Sequence, residues 1–277
     1  MVGDIRDLRR LLLALCIVII SCIGAGVFIA GPRLPAGISH DLSLSQVRVS
    51  HFPQIILWAW ERPADLHYID PREVGVAFLA STVYLSGSDV AVRPRLQPLK
   101  VPPGTFLMAT VRIETNHTRN KMGPPLLSQG QCARVATAII DAAGMPSVCA
   151  VQIDFDATSS ERAFYRDLLN EVRRQLPDST SLSITALASW CAGDQWMEGL
   201  PIDEAVPMLF RMGPDRREIL GELRAGQGFP AAICNQSVGI STDEPLEVAP
   251  RDRRRYIFHP DDWSEQSVRE AIGGARQ

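Results

Sequence analysis

The sequence predicts an α/β domain folded as a (β/α)8, TIM-like barrel and preceded by one N-terminal transmembrane helix. Three observations predict it. Strand-like and helix-like stretches alternate from residue 53 to the end of the chain, and such alternation implies crossover units and a parallel sheet. Eight strand-like stretches fall in roughly 230 residues, the size at which such a barrel closes. The run LLLALCIVIISCIGAGVFIA, Leu11–Ala30, is uncharged and follows Arg6, Arg9 and Arg10; roughly 20 apolar residues cross the hydrocarbon core as a helix. A doubly wound open sheet is the alternative arrangement of the same elements.

These signals divide the chain into a basic cytoplasmic segment, 1–10, a span over 11–30, a linker rich in Gly, Pro and Ser over 31–52, and a barrel domain over 53–277. Basic residues ahead of the span favour a cytoplasmic N-terminus. The domain is therefore expected outside, in the periplasm or beyond the cell, anchored in the inner membrane by residues 11–30. Secretion after signal cleavage is the alternative. The run exceeds the roughly 7–15 apolar residues of a cleavable signal, which favours the anchor.

Within the domain the elements follow in order. QIILWAWER is the first strand and VGVAFLASTVYLSG the second, with SDVAVRPRLQPLKVPPG as an extended excursion or hairpin. FLMATVRIET is the third, and QGQCARVATAIIDAAG is a helix that stops at Gly144. SVCAVQIDFD and the helix after it make the fourth unit. SLSITALASWC is the fifth strand, AVPMLFRMG the sixth with helix DRREILGELRAG, AAICNQSVGIS the seventh, and RRYIFHP the eighth with helix SEQSVREAIGG. The segments after the first and fifth strands, PADLHYIDPREV and AGDQWMEGLPIDE, are too short and irregular for full helices, so an irregular barrel is expected.

Composition narrows function by exclusion. The 277 residues carry a net charge of −3 with charges scattered along the chain, so there is no nucleic-acid footprint. Cys132, Cys149, Cys191 and Cys234 lie in the exported part, where disulfides are permitted. None has metal-ligand spacing, and neither metal nor cofactor is expected. One or two disulfides are compatible with the sequence, which does not choose the pairs. No GxSxG elbow accompanies His259, which argues against serine hydrolase chemistry. The cluster RDRRR, 251–255, reads as a solvated approach to the last strand.

The acids of the fourth strand carry the chemistry. Side chains alternate faces along a strand. In VQIDFD, Val151, Ile153 and Phe155 share one face, and Gln152, Asp154 and Asp156 share the other. A strand buried on both faces should be apolar throughout, so the polar face must look into the barrel mouth. Arg112 and Glu114 repeat the pattern on the third strand. Barrel chemistry sits at the carboxyl ends of the strands, where Asp154, Asp156, Glu114, Glu61 with Arg62, Trp190, Arg211 and Asn235 are predicted to lie. Two carboxyls with split pKa values can hydrolyse a glycosidic bond. A structural role for the same acids, with Arg112 neutralising Asp154 and Asp156, Ser159 or Ser160 capping the next helix, is the plainer reading.

LWAWERPADL, VQIDFDATSSERAFYRDLLNEVRRQLP, LSITALASWC, DEAVPMLFRMG and VGISTDEP resemble an uncharacterised bacterial family of unknown function. The resemblance implies export and a glycoside-hydrolase-like barrel. A more distant resemblance is to family-18 chitinases, whose DxxDxDxE motif ends in the general acid. Asp154 and Asp156 match its DxD, but Val151 stands at the first Asp and Thr158 at the catalytic Glu. That mechanism therefore does not carry over residue by residue, and Glu114 becomes the substitute for the missing acid. Glu161 reads as first-turn helix charge.

The expected function is carbohydrate processing on a polysaccharide or oligosaccharide of the cell envelope. Asp154, Asp156 and Glu114 are the catalytic candidates. Trp60, Arg62, Arg112, Trp190, Arg211 and Asn235 are the substrate-binding candidates, with Trp58 read as core. A non-catalytic glycan-binding protein and an envelope assembly component are the alternatives.

Overall fold

A computed structural model describes residues 44–115, 123–246, 250 and 252–275. The expected span over 11–30 lies outside them. Among the described residues no helix is long and apolar enough to cross a membrane.

The first described element is helix α1, Leu44–Val49. The strands and helices then run β1 (Ile55–Ala59), β2 (Ala64–Asp65), β3 (Val74–Ser86), β4 (Asp89–Pro94), β5 (Leu99–Lys100), β6 (Leu107–Glu114), α2 (Gln129–Ala143), β7 (Val148–Asp154), α3 (Arg162–Gln175), β8 (Ser181–Leu187), α4 (Ala188–Gly193), β9 (Glu204–Met208), α5 (Arg216–Arg224), β10 (Ser237–Ser241), β11 (Arg254–Phe258) and α6 (Glu265–Ala275). In the main sheet the order is β1-β11-β10-β9-β8-β7-β6-β3-β4, and β1 also pairs with β3. Every pairing is parallel except β3 with β4. Eight parallel strands therefore close on themselves, and β4 hangs outside as the return arm of a hairpin. This is the predicted barrel, not the open sheet.

Its irregularities follow from the sequence. Strand β3 is apolar almost throughout and nearly all buried, as a two-sided strand must be. Its far end passes β6 and turns back through Gly87–Ser88, where Gly87 has φ 51° and supplies the left-handed backbone of a two-residue hairpin. The segment after β1 forms turns and the small β2–β5 sheet rather than a helix. After β8 the chain becomes helical at Ala188, three residues earlier than the expected strand end, and continues into a 3₁₀ turn at Gln195–Met197. Residues Ala232–Asn235 are likewise a 3₁₀ turn rather than part of β10.

The regular crossover helices obey simple rules. Helix α2 opens with a capping box: Gln131 N donates to Ser128 Oγ, and Ser128 N donates to the Gln131 side chain. It buries Cys132, Val135, Ala136, Ile139 and Ala142, a stripe at helical spacing, and ends at Gly144 as predicted. Helix α3 buries Phe164, Tyr165, Leu168, Leu169 and Val172. Its N-cap is Glu161, not Ser159 or Ser160. The buried Glu161 carboxylate instead accepts from Thr158 N and Thr158 Oγ1, each at 2.7 Å, and so fixes the loop leaving β7.

Two cores result. One lies between strands and helices; the other fills the barrel and contains Val49, Phe52, Ile56, Trp58, Met108, Val206 and Tyr256. The domain thus begins before the predicted boundary at 53, because Val49 and Phe52 plug the base of the barrel. Within the barrel runs a polar column. Trp58 Nε1 donates to Gln152 Oε1 at 2.9 Å, Gln152 Nε2 to Ser183 Oγ at 3.2 Å, and Ser183 Oγ to Glu204 Oε2 at 3.3 Å. The fully buried Glu204 also accepts from Tyr256 at 2.6 Å and pairs with Arg254. Arg254 further donates to the carbonyls of Pro53 at 3.1 Å and Val49 at 2.9 Å. Arg254 and Arg255 are buried, so that part of the RDRRR cluster is not solvated: a charge inside the barrel required a counter-charge, and Glu204 supplies it.

Candidate functional site

The carboxyl ends of the strands surround a cleft of about 640 Å³. Strand β7 delivers Asp154 to its floor and the following turn delivers Asp156 to its wall, on the predicted inward face. Thr185 of β8 donates to Asp154 Oδ1 at 2.7 Å. Arg112 of β6 lies 3.6 Å from Asp154 Oδ2 but is drawn the other way by Glu114, whose Oε1 accepts from Arg112 Nε at 3.0 Å. Asp154 is buried. Burial, seconded by the charge of Asp156 and opposed by Arg112, raises its pKa to about 6. Asp156 is exposed at the mouth, yet partial burial also holds its pKa above the ordinary carboxylate range, against the pull of Arg112. Behind them Tyr165 is fully buried; burial and the two carboxylates push its hydroxyl well above its ordinary value, so it stays neutral.

Aromatic rings flank the acids. Trp58 forms part of the floor, held by its bond to Gln152. Trp60 lines the mouth with the Arg112 guanidinium over its ring at 5.8 Å. Its loop is pinned by Arg95, which donates to the carbonyls of Ala59, Trp60 and Arg62. Phe210 and Phe258 stack with centroids 5.7 Å apart. Arg211 lies over both, at 5.5 and 5.3 Å. Arg211 adopts φ 49°, an uncommon conformation for a side-chain-bearing residue. It is held there from the segment after β10: its amide donates to Glu244 Oε2 at 3.0 Å and its guanidinium to Asp243 Oδ2 at 2.9 Å. Arg216 donates to the same Glu244 oxygen at 2.9 Å.

The structure brings together Asp154, Asp156, Arg112, Trp60 and Arg211 of the predicted residues. It places the others elsewhere. Glu114 does not line the cleft and is ion-paired to Arg112. Trp190 sits on α4, 3% exposed, edge-on to Trp196, because the turn from strand to helix rotates it into the core. Arg62 is an exposed rim residue, 3.8 and 3.7 Å from Asp261 and Asp262, in a smaller neighbouring pocket. Asn235 braces its own loop, accepting from Phe229 N at 2.8 Å and donating to Phe229 O at 2.7 Å. His259 meets Thr242 at 2.6 Å and stacks on Trp263, and no metal cluster occurs among the described residues.

Sequence reasoning missed Thr185, Met208, Phe210, Asp215 and Phe258, all of which line the cleft. Asp215 is the most informative. It stands at the N-cap of α5, but its side chain makes no capping bond. Its neighbours Arg211 and Arg216 are taken by Asp243 and Glu244. It is therefore a carboxylate facing the cleft from the β9–α5 segment, away from the β7 acids, without a side-chain partner among the described residues. The one usable signal was its place just past the end of a barrel strand. One disulfide, Cys191–Cys234, ties α4 to the turn before β10; Cys132 and Cys149 are free.

Residues 104–210 match a family described as Domain of unknown function (DUF3142). The matched segment runs from just before β6 to Phe210 and contains Arg112, Asp154, Asp156 and Thr185. No curated protein matches the chain. Among solved structures, a protein described as chitinase A from Streptomyces coelicolor aligns at 10% identity over 84% of this chain and 96% of its own, with a TM-score of 0.49. A family 18 chitinase from Crocus vernus aligns at 11% identity over 80% and 96%, with a TM-score of 0.49. An endo-beta-N-acetylglucosaminidase from Cordyceps militaris aligns at 8% identity over 84% and 94%, with a TM-score of 0.46.

Proposed function

We propose that the protein is a carbohydrate-active enzyme that hydrolyses a glycosidic bond in the cleft at the carboxyl ends of the barrel strands. Asp154 carries the reading. It is a buried carboxyl on a cleft floor with a pKa of about 6, so it holds its proton through mildly acidic pH, as a general acid requires. Thr185 occupies Oδ1 and leaves Oδ2 to carry the proton. Arg112 would oppose this, but its pairing with Glu114 divides its charge. Glycoside hydrolysis also needs a carboxylate that stays ionised. Asp156 on the adjoining wall and Asp215 on the β9–α5 segment are the other two carboxyl groups that line the cleft. Trp60, Phe210 and Phe258 offer apolar faces to the C–H faces of sugar rings.

A second reading, glycan binding without turnover, is favoured by a specific observation. Thr158 stands where the chitinase motif places its acid, and Glu114 is held outside the cleft. The compartment follows the sequence: anchorage by residues 11–30 with the domain outside, and a polysaccharide or oligosaccharide as partner. The Cys191–Cys234 disulfide supports it, since such bonds persist in oxidising compartments.

The test is release of reducing ends from an oligosaccharide panel by the full-length protein, beside Asp154→Asn. The enzyme reading expects turnover that falls as pH rises through about 6 and drops at least about a hundredfold in the variant. Binding without turnover in the parent establishes the binding reading. Turnover undiminished in Asp154→Asn refutes the role of Asp154.

A further inference from the structure

The cleft is more acidic than its lining suggests. Arg112, Arg211 and Arg216 reach it, and so do Asp154, Asp156 and Asp215. Each arginine, however, is engaged by a carboxylate that does not line the cleft. Glu114 takes Arg112 at 3.0 Å, Asp243 takes Arg211 at 2.9 Å and Glu244 takes Arg216 at 2.9 Å. Three cations therefore serve six carboxyl groups, and the negative surplus faces the ligand. Arg112 lies 3.6 Å from Asp154 Oδ2, so part of its charge is left for the β7 acids. Asp215 has no such share: its side chain makes no capping bond and no ion pair among the described residues. The adjoining pocket shares Trp60 and Phe258 with the cleft and repeats the pattern, with Arg62 at 3.8 and 3.7 Å from Asp261 and Asp262.

Hydrogen-bonding capacity leads the same way. Ionised carboxylates only accept. The guanidinium groups that could answer an acceptor on the ligand already donate to Glu114, Asp243 and Glu244. The ligand that suits this wall brings donors and positive charge. A neutral sugar can donate its hydroxyls but leaves the charge of Asp215 unmatched. An ammonium group brings three donors, no acceptor and the counter-charge. Among the described residues no group of three acids is arranged to hold a metal ion, so the surplus is spread along the cleft rather than focused on one point.

We infer that the substrate is a cationic saccharide, a chain of amino sugars whose amines are free rather than acylated, with an ammonium group on Asp215 and the scissile bond beside Asp154. The inference rests on the carbohydrate reading of the cleft and adds the charge of the substrate. The aromatic faces of Trp60, Phe210 and Phe258 serve the rings, and the surplus acids select among rings by their amines.

The test is calorimetric titration of the full-length protein in nanodiscs of zwitterionic lipid, with empty nanodiscs as the blank, at mildly acidic pH where the amines are charged. The ligands are the β-1,4 tetrasaccharides of glucosamine, N-acetylglucosamine and glucose, with tetralysine as a cation that is not a sugar. The glucosamine tetramer should bind at least about tenfold tighter than either neutral tetramer, the margin of one charge-assisted hydrogen bond. Added salt should weaken it and leave the neutral tetramers unchanged. Asp215→Asn should remove most of the preference while the urea unfolding midpoint stays put, since the side chain caps nothing. Neutral tetramers that bind as tightly as the glucosamine tetramer overturn the inference and leave the carbohydrate reading standing. A preference undiminished in Asp215→Asn overturns it as well, by placing the ammonium elsewhere. Tetralysine binding as tightly as the glucosamine tetramer also overturns it, because the cleft then selects charge without sugar. No binding by any of the three saccharides overturns both readings.

Discussion

Replacing Asp154 by Asn separates a carboxyl held for chemistry from one held for structure, and the structure fixes the sign. The Asp154 pKa is raised from 3.8 to about 6, with burial the largest cause. A carboxyl whose folded pKa lies above its unfolded value destabilises the fold once it ionises. Well below the unfolded value of 3.8 both states hold the proton and there is no penalty. Well above about 6 both states are ionised and the folded state carries all of it. A shift of about two units at 1.36 kcal/mol per unit is about 3 kcal/mol. Asparagine removes the charge and keeps the oxygen that accepts from Thr185. Arg112 keeps Glu114 at 3.0 Å. The variant should therefore be more stable than the parent at about pH 8 by up to about 3 kcal/mol, and equal to it at about pH 3. Urea unfolding midpoints at the two pH values, with unchanged slopes, read this directly. Were Asp154 present chiefly to neutralise Arg112, the variant would be less stable at about pH 8. That result, or a difference independent of pH, refutes the reasoning.

Three further outcomes follow. Glu204→Gln leaves Arg254 without its counter-charge in the barrel, and should cost about 3–5 kcal/mol in urea unfolding. Cys191→Ala with Cys234→Ala opens a loop of 43 residues; chain entropy predicts a loss of about 4 kcal/mol, measured as a lower midpoint that reducing agent lowers no further. Gly239→Ala sets a Cβ 3.0 Å from the Trp58 ring, which the bond to Gln152 and the packing of Tyr256 prevent from retreating. It should cost about 1–3 kcal/mol by overpacking and shift the tryptophan emission spectrum.

What the sequence revealed, and what it hid, divides by range. The barrel was legible because each strand carries its burial in its own residues, and the inward face of β7 was legible because Asp154 breaks an apolar run. Trp190 was misplaced because alternation was carried past Leu187, where the period changes from two to 3.6 and the ring turns inward. Asn235 was misplaced for a similar reason, since a 3₁₀ turn precedes β10. Arg254 looked solvated because Glu204, its partner, lies 50 positions away. Asp215 was invisible because only the folded chain shows that its neighbours are engaged elsewhere and that the carboxylate is left to the cleft.

The closing seam of the barrel has a consequence for how the protein is made. Ile55 pairs with Arg255, and Arg254 reaches the Val49 carbonyl across 205 positions. No earlier strand can substitute, so until β11 is available β1 and β10 present bare edges. Contacts this distant in sequence slow folding, and unpaired edges invite association with other chains. A product cut short before Arg254 retains seven of the eight barrel strands and most of the cleft, yet lacks the strand that joins β1 to β10. Such a fragment should accumulate as aggregate rather than as a weakened form of the protein.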